Sequence, residues 1–227
     1  MKAFIVFRDR VTYGRRCMSA MLAAGLEPVI VDHGSTWPLA LKWLEHLERN
    51  GIRVLHRDGG HPRSLYGWHP FIKECGNDQR YVVTDPDVVP SEDCPRDWPV
   101  RLAGVLDNAP SYCHKAGLGL RLDRIPERTQ RRDQVLNWEK QYWMRETVPG
   151  VYDAPIDTTL ALHAPLSECG SHSFEALRTG YPYVADHLAW YESSDPAELP
   201  EEITYYYEHA EPGITHWAPK GRGVWDD

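Results

Sequence analysis

The 227-residue sequence lacks three features, and each absence argues against one class of protein. No apolar run is long enough to span a bilayer, and the run near the N-terminus stops at Arg8, so we expect neither a membrane span nor a signal peptide. The five cysteines are odd in number and include no C-x-x-C pair, which argues against a disulfide framework and a zinc site. The net charge of -8 makes a nucleic-acid partner unlikely to be part of its function. We therefore predict a cytoplasmic protein, because reduced thiols suit that compartment.

The first half of the chain alternates short apolar runs with helix-length stretches. The runs predict buried parallel strands at 4–7, 28–31, 52–55 and 81–84, and the stretches between them predict helices at 13–24, 38–50 and 68–75. This alternation predicts an α/β fold with helices on both faces of a mostly parallel sheet. The second half predicts helices at 98–108 and 133–145, a strand at 156–163, and a loop turning into a helix within 168–180. We expect one domain over 1–227.

Polar clusters follow the predicted strands at the points where those strands end. Ligands of parallel sheets bind at the carboxyl ends of the strands, so these clusters predict a site at one edge of the sheet. The clusters are Arg8-Asp9-Arg10, Asp32-His33-Gly34-Ser35, Arg57-Asp58-Gly59-Gly60 and Asp85-Pro86-Asp87.

Asp85 and Asp87 are the strongest local signal for chemistry. Alternate side chains at a strand end point the same way, so both carboxylates can face one hard cation such as Mg²⁺ or Mn²⁺. Such an ion would stabilise a diphosphate leaving group. The other interpretation is a turn, because Asp-Pro-Asp is also favourable turn sequence.

Asp32 and Ser35 form the second signal, at the end of the second predicted strand. The Asp32 carboxylate can accept the imide N–H of uracil or an equivalent donor of another base. Alternatively, Asp32 is only a turn residue or a helix cap.

These motifs together resemble the GT-A-fold glycosyltransferases, in particular those of the family 2 type. The resemblance rests on the segments 4–13, 31–35, 58–61 and 83–87, covers the first 95 residues well, and covers the rest loosely. It implies a Rossmann-type sheet, a nucleotide-sugar-binding half at 1–95 and an acceptor-binding half at 96–227. It also implies that Asp32 contacts the nucleobase, while Asp85 and Asp87 hold the metal and the diphosphate, with Asp87 as the direct ligand.

The resemblance implies further roles for residues outside these motifs. Gly117 would let the backbone approach the donor sugar, although a β-bulge is an equal alternative. His187 would complete the metal shell, although a lone histidine is more often structural. Arg8 and Arg63 would contact the nucleotide sugar as basic side chains.

The catalytic base is where the sequence departs from the family pattern, because no Glu-Asp pair stands at the expected place. Glu139 and Asp157 are the candidates for accepting the proton of the acceptor hydroxyl, with Glu139 favoured and Asp133 third. Glu139 can equally pair with a lysine or arginine, and Asp157 can be a cap or turn residue.

The sequence therefore predicts a metal-dependent glycosyltransferase of the hexosyltransferase type. It would move a sugar from a nucleotide-diphosphate sugar, expected to be a UDP-sugar, to an acceptor hydroxyl that the sequence does not identify, with Mn²⁺ or Mg²⁺. Two alternatives stay open. A nucleotidyltransferase that makes nucleotide sugars would need a glycine-rich loop after the first strand, where only Gly14 stands. A non-catalytic carbohydrate-binding module would bind the donor without turnover.

Overall fold

The computed structural model describes residues 1–57, 74–76, 78–127, 129, 131–156, 160–165, 175–193 and 195–209. The described strands are β1 Lys2–Phe7, β2 Glu27–His33, β3 Arg53–Arg57, β4 Tyr81–Thr84, β5 Val88–Pro90, β6 Lys115–Leu120, β7 Glu146–Val148, β8 Val151–Asp153, β9 Ala161–His163 and β10 Ala176–His187. The described α-helices are α1 Val11–Ala23, α2 Pro38–Arg49, α3 Trp98–Asp107, α4 Arg132–Glu139 and α5 Glu201–His209. No helix among these residues is both long and apolar enough to cross a membrane.

All ten described strands belong to one sheet. Its order is β3-β2-β1-β4-β9-β6-β10-β8-β7, and β5 pairs with β10 outside this path. The strands β3, β2, β1 and β4 are parallel, with Lys2 opposite Glu27 and Phe7 opposite Asp32 in the β1–β2 pair. The α/β fold is therefore confirmed, and its parallel part is the half that the sequence predicted from alternation. Beyond β4 the sheet is mixed, because β9 is antiparallel to both β4 and β6.

The apolar runs of the first strands are continuous because both faces of the sheet are buried. Successive side chains in a strand alternate between faces. Ile5 and Phe7 pack with the apolar sides of α1, α2 and α3, whereas Phe4 and Val6 pack with Tyr81 on the other face. The partly buried side chains packed against that second face, within the described part of the chain, include Cys75. Most of the helix predicted at 68–75 lies outside the described residues.

The expected helix within 168–180 is wrong over 176–180, where the chain forms the start of the long strand β10, while 168–174 lies outside the described residues. This strand is parallel to β6 and antiparallel to β8 and β5, so it lies inside the sheet. Pairing with three neighbours outweighs the weak local preference of a short segment for helix. The helix predicted at 133–145 ends as α-helix at Glu139 and continues as a 3₁₀ turn over Lys140–Trp143. Of the strand predicted at 156–163, only Ala161–His163 is described as strand.

The helix α1 begins next to the end of β1 and takes its cap from a distant part of the chain. Its N-cap residue Arg10 makes no capping side-chain hydrogen bond. Instead, the Thr12 N–H donates to both carboxylate oxygens of Glu202 in α5, at 3.1 Å each. The helix stops at Gly25, whose φ of 73° is the left-handed conformation expected there. The C-terminal helix α5 is therefore docked against the start of α1, at the carboxyl edge of the parallel strands.

Candidate functional site

The carboxyl ends of β1, β2 and β4 meet at one edge of the sheet, as predicted from the polar clusters. These strands are parallel neighbours, so the residues at their ends lie at the same edge. Arg8 follows β1, Asp32 lies near the end of β2, and Asp85 follows β4. The strand β10 ends there as well, since its last residue His187 is paired with Val88, directly after Asp87. The structure thus brings together most of the predicted site residues that it describes.

The loop after β1 is built around Asp9, a buried residue with a φ of 57°. Its Oδ1 accepts the N–H groups of Thr36 and Trp37 at 2.7 and 2.8 Å, just before α2 begins. Its own N–H donates to the Ser35 Oγ at 3.0 Å. Aspartate tolerates this backbone conformation better than most residues, and these bonds compensate for the strain. Ser35, predicted to bind the nucleotide sugar, therefore also ties the β1 loop to the β2 loop.

Asp32 is the second-last residue of β2 and is buried. Its Oδ1 accepts the Ser35 N–H at 3.1 Å, and its Oδ2 lies 3.3 Å from His56 Nδ1. His56 Nε2 in turn lies 3.3 Å from an oxygen of Glu48 in α2. An ionised carboxylate has about four lone-pair sites, so the two contacts hold Asp32 in place and leave capacity for another donor.

Asp87 is buried in an ion pair with Arg10, whose Nη1 lies 2.6 Å from Asp87 Oδ2. The Arg10 guanidinium lies over the ring of Tyr206 in α5, 4.4 Å from its centroid. Burial by itself raises the pKa of Asp87, but the charges of Arg10 and His187 and the Arg10 hydrogen bond outweigh it and lower that pKa below its ordinary value. Asp87 is therefore an ionised carboxylate whose counter-charge is an arginine of the same chain.

Asp85 and His187 flank this pair. The Asp85 carbonyl accepts the Val88 N–H at 3.3 Å, which closes a turn through Pro86 and Asp87. The turn interpretation of this motif is therefore correct, and the turn holds Asp87 at the edge of the sheet. The Asp87 carbonyl accepts the Leu188 N–H at 2.7 Å, and the His187 ring stacks on Trp190 at 4.8 Å.

The predicted metal ligands do not fit a metal ion in this arrangement. Within the described residues there is no group of three or more His, Cys, Asp or Glu side chains placed to hold one ion. The direct ligand predicted for the metal, Asp87, already binds the Arg10 guanidinium. The roles of Asp85, Asp87 and His187 as metal ligands stay predictions.

Arg8 lies at the same edge and contacts α5. Its Nη2 donates to the His209 carbonyl at 3.3 Å, and its Nε lies 3.9 Å from Asp9 Oδ2. The predicted Arg63 and Asp157 lie outside the described residues, so their roles remain predictions.

Gly117 is buried in β6 for a packing reason that the structure makes explicit. A Cβ at this position would lie 2.7 Å from the Leu160 carbonyl and 2.8 Å from Ile156 Cδ1. The glycine is therefore needed to pack β6 against its neighbours. Its predicted role beneath a donor sugar stays a prediction.

Glu139, the favoured candidate for the base, lies in a second buried ion pair. Arg178 Nη1 donates to Glu139 Oε2 at 3.1 Å, Arg178 Nε donates to the Pro155 carbonyl at 2.8 Å, and the guanidinium lies 4.3 Å from the Tyr142 ring centroid. Burial raises the pKa of Glu139 although Arg178 opposes the shift. Arg178 is opposite Gly117 in β6, so this pair lies before the end of β10, where His187 is found.

The sequence analysis included Arg10 in a polar cluster at the edge but gave it no role, and it missed Asp186 and Glu192 as members of the edge. Glu192 accepts from the hydroxyls of Tyr13 and Tyr207 at 2.5 and 2.6 Å, and burial raises its pKa. Burial also raises the pKa of Asp186, which accepts from the Tyr191 hydroxyl at 3.1 Å. The available signals were the basic residues directly after β1 and the tyrosine-rich tail.

A cavity away from this edge is also present in the described structure. It measures about 410 Å³ and is lined mainly by apolar side chains near the start of β10, among them Val105, Val148, Val151 and Leu177. None of the predicted site residues lines it. The polar edge is therefore an independent feature of the molecule.

No protein-family model and no curated protein matches the chain. Solved structures similar to this chain include a mannosyltransferase from Pyrobaculum calidifontis, in complex with GDP-Man and Mn²⁺, which is 12% identical over 91% of this chain and 69% of its own, with a TM-score of 0.47. GalNAc-T7 with UDP, GalNAc and Mn²⁺ is 12% identical over 82% of this chain and 43% of its own, with a TM-score of 0.49. An inositol-1-phosphate CTP transferase from T. maritima is 9% identical over 90% and 93%, with a TM-score of 0.40. These values do not establish a shared function, and membership of family 2 stays a prediction.

Proposed function

We propose that this protein is a glycosyltransferase that moves a sugar from a nucleotide-diphosphate sugar to an acceptor hydroxyl. The observation that carries the proposal is the grouping of four polar side chains at one edge of the sheet. Asp32 lies near the end of β2 and His187 ends β10. Arg10 follows β1, Asp87 follows β4, and these two form an ion pair. Parallel sheets bind their ligands at this edge.

In this proposal Asp32 recognises the nucleobase. Its two oxygens are oriented by the Ser35 N–H and by His56, so the carboxylate has a defined direction before a ligand arrives. A fixed acceptor of this kind suits an imide N–H, such as that of uracil. A UDP-sugar is therefore the first donor to test.

The diphosphate would lie beside the basic residues that follow β1. Arg8 and Arg10 are the cations of this loop, and the Nε groups of both are buried without a hydrogen-bond partner among the described residues. Buried donors of this kind cost free energy unless a ligand satisfies them. No step of the proposal depends on a metal ion, because the described side chains do not fit one.

The transfer itself needs a base for the acceptor hydroxyl. As the acceptor oxygen bonds to the sugar carbon, the bond to the nucleoside diphosphate breaks and a carboxylate takes the hydroxyl proton. Glu139 and Asp157 remain proposed for this role. The structure adds Asp186, because it lies beside His187 at the edge and its pKa is raised by burial.

A thermal-shift panel of nucleoside diphosphates and nucleotide sugars tests the proposal, since a ligand that binds only the folded state raises the melting temperature. We expect a shift with one nucleotide and at least a tenfold weaker affinity, or about 1.4 kcal/mol, in Asp32→Asn. Glu45→Gln is the control, because that carboxylate is 68% exposed on α2 and has no proposed role.

Two outcomes of the same work would contradict the proposal. Pyrophosphate release from a nucleoside triphosphate and a sugar phosphate would indicate a nucleotidyltransferase. Binding of a nucleotide sugar without transfer or hydrolysis under any condition would indicate a binding module with the same fold.

A further inference from the structure

The Arg10–Asp87 pair lies where the sequence predicts a metal ion. The side chains of Arg10 and Asp87 are only 12% and 6% exposed, and the pair joins the loop after β1 to the turn after β4. These two segments are 77 residues apart in the chain, so the contact is produced by the fold.

We infer that Arg10 is the resident cation of this site and that the nucleoside diphosphate binds beside it without a divalent metal. The inference rests on the proposed function and deepens it, because it names the group that receives the donor's phosphates.

A metal ion at this site would have to compete with Arg10 for the Asp87 carboxylate. An arginine stays protonated at all relevant pH values, so it does not release the carboxylate by losing its proton. Removing one partner from a buried ion pair leaves an uncompensated charge, so a metal ion that takes Asp87 must also find a new anion for Arg10. The described residues offer no group of three metal-ligating side chains that would compensate for this cost.

Arg10 has hydrogen-bond donors that its contact with Asp87 does not use. Its Nη1 binds Asp87, but its Nε is buried and has no hydrogen-bond partner in the described part of the chain. The guanidinium carries five donors in a planar arrangement that matches phosphate oxygens. One edge can therefore hold Asp87 while the remaining donors face a phosphate.

Two tyrosine rings orient the guanidinium group of Arg10. The Tyr206 ring lies 4.4 Å and the Tyr13 ring 5.8 Å from the guanidinium carbon of Arg10, so aromatic rings restrict its plane. Contact with an aromatic face also stabilises the cation. Arg8 supplies a second positive charge at the same loop, with its Nε also lacking a hydrogen-bond partner among the described residues.

The test is isothermal titration of the full chain with UDP and with GDP, each in excess EDTA and in saturating Mn²⁺. The variants are Arg10→Gln, Arg10→Lys and the control Arg49→Gln, whose arginine is exposed and pairs with Glu45 within α2. Circular dichroism checks that each variant folds. Electron paramagnetic resonance of Mn²⁺ alone gives a readout that does not depend on activity.

We expect the wild-type Kd for the nucleotide that binds to differ by no more than about twofold between EDTA and Mn²⁺. Arg10→Gln should weaken binding at least about tenfold in EDTA, and Arg10→Lys should fall between the two, because it keeps the charge but loses the planar donors. Mn²⁺ alone should bind Arg10→Gln more tightly than the wild type, because Asp87 is then released. The control should match the wild type.

A wild-type affinity that falls tenfold or more in EDTA would overturn the inference and leave the proposed function standing. Wild-type binding without metal that is unchanged in Arg10→Gln and Arg10→Lys would also overturn it. If neither nucleotide binds in either buffer, the proposed function fails and the inference fails with it. If both Arg10 variants are unfolded, the comparison of EDTA with Mn²⁺ in the wild type decides.

Discussion

Two buried arginine–carboxylate pairs lie in different regions of this sheet, and their carboxylates respond in opposite directions. Each arginine lies over a tyrosine ring, at 4.4 Å for Arg10 and 4.3 Å for Arg178. The pKa of Asp87 is lowered, whereas the pKa of Glu139 is raised. Burial raises both, so the nearby charges make the difference.

The edge pair has more positive charge close to its carboxylate. Arg10, at 2.6 Å, and the charge of His187 both lower the pKa of Asp87. For Glu139, the charge that lowers the pKa is that of Arg178, at 3.1 Å. The desolvation of a carboxylate is outweighed only by sufficient nearby charge. The comparison shows that nearby positive charge outweighs burial at the Arg10–Asp87 pair and does not outweigh it at the Arg178–Glu139 pair.

The largest effect should come from removing Arg10. Arg10→Met leaves Asp87 buried without its counter-charge, and we expect a loss of about 3–5 kcal/mol in the free energy of unfolding. Urea unfolding at neutral pH measures it.

Two further variants control this measurement. The double variant Arg10→Met/Asp87→Leu should regain most of the loss, because no charge is left unpaired. Arg49→Met should change stability by no more than about 0.5 kcal/mol, since its pair with Glu45 is exposed. A loss below about 1 kcal/mol in Arg10→Met would show that Asp87 does not depend on Arg10.

The next effect should come from the ring over Arg10. Tyr206 is buried in α5, so Tyr206→Leu loses both packing and the cation–π contact, and we expect about 2 kcal/mol. Tyr142→Leu is the matched change at the other pair and should cost less, because Tyr142 is only partly buried. Equal losses of unfolding free energy in Tyr206→Leu and Tyr142→Leu would show that α5 stabilises the Arg10–Asp87 pair no more than Tyr142 stabilises the Arg178–Glu139 pair.

The pH dependence of stability should separate the two pairs by sign. Because the pKa of Asp87 is lowered, its contribution is present above the ordinary value of 3.8 and is lost as the pH falls through the folded-state pKa. Because the pKa of Glu139 is raised, its contribution is present below 4.5 and is lost as the pH rises through the folded-state pKa.

In urea unfolding across the acid range, Asp87→Asn should lose less stability on acidification than the wild type. Glu139→Gln should lose less as the pH rises from about 4 towards 7. If the slope of the free energy of unfolding against pH changes in the same direction in both variants, the opposite pKa shifts of Asp87 and Glu139 are contradicted.

The smallest effect should come from the cap that docks α5. Glu202→Ala removes the acceptor of the Thr12 N–H and should cost about 1 kcal/mol. Amide exchange should speed up at Thr12 and remain unchanged in α4, which lies at the other pair. Glu201→Ala is the control, because Glu201 is exposed in the same helix. Faster exchange in α4 would show that the two regions are coupled.

The first half of the fold was predictable because its signals are local. Apolar runs at 4–7 and 81–84, followed by polar clusters, indicated strands and the edge at which they end. The second half was not predictable in the same way. The strand β10 is stabilised by pairing with β6, β8 and β5, and none of these partners is adjacent to it in sequence.

By itself, the sequence determined the parallel strands β1 to β4 and the residues that follow them, because hydrophobic runs and turn residues act over a few positions. Only the tertiary structure decided which charges meet. Arg10 and Asp87 are 77 residues apart, and Glu202 caps α1 by accepting from Thr12, which lies 190 residues earlier. Such contacts depend on strand order and burial, which remove water from both partners at once, and no local pattern contains that information.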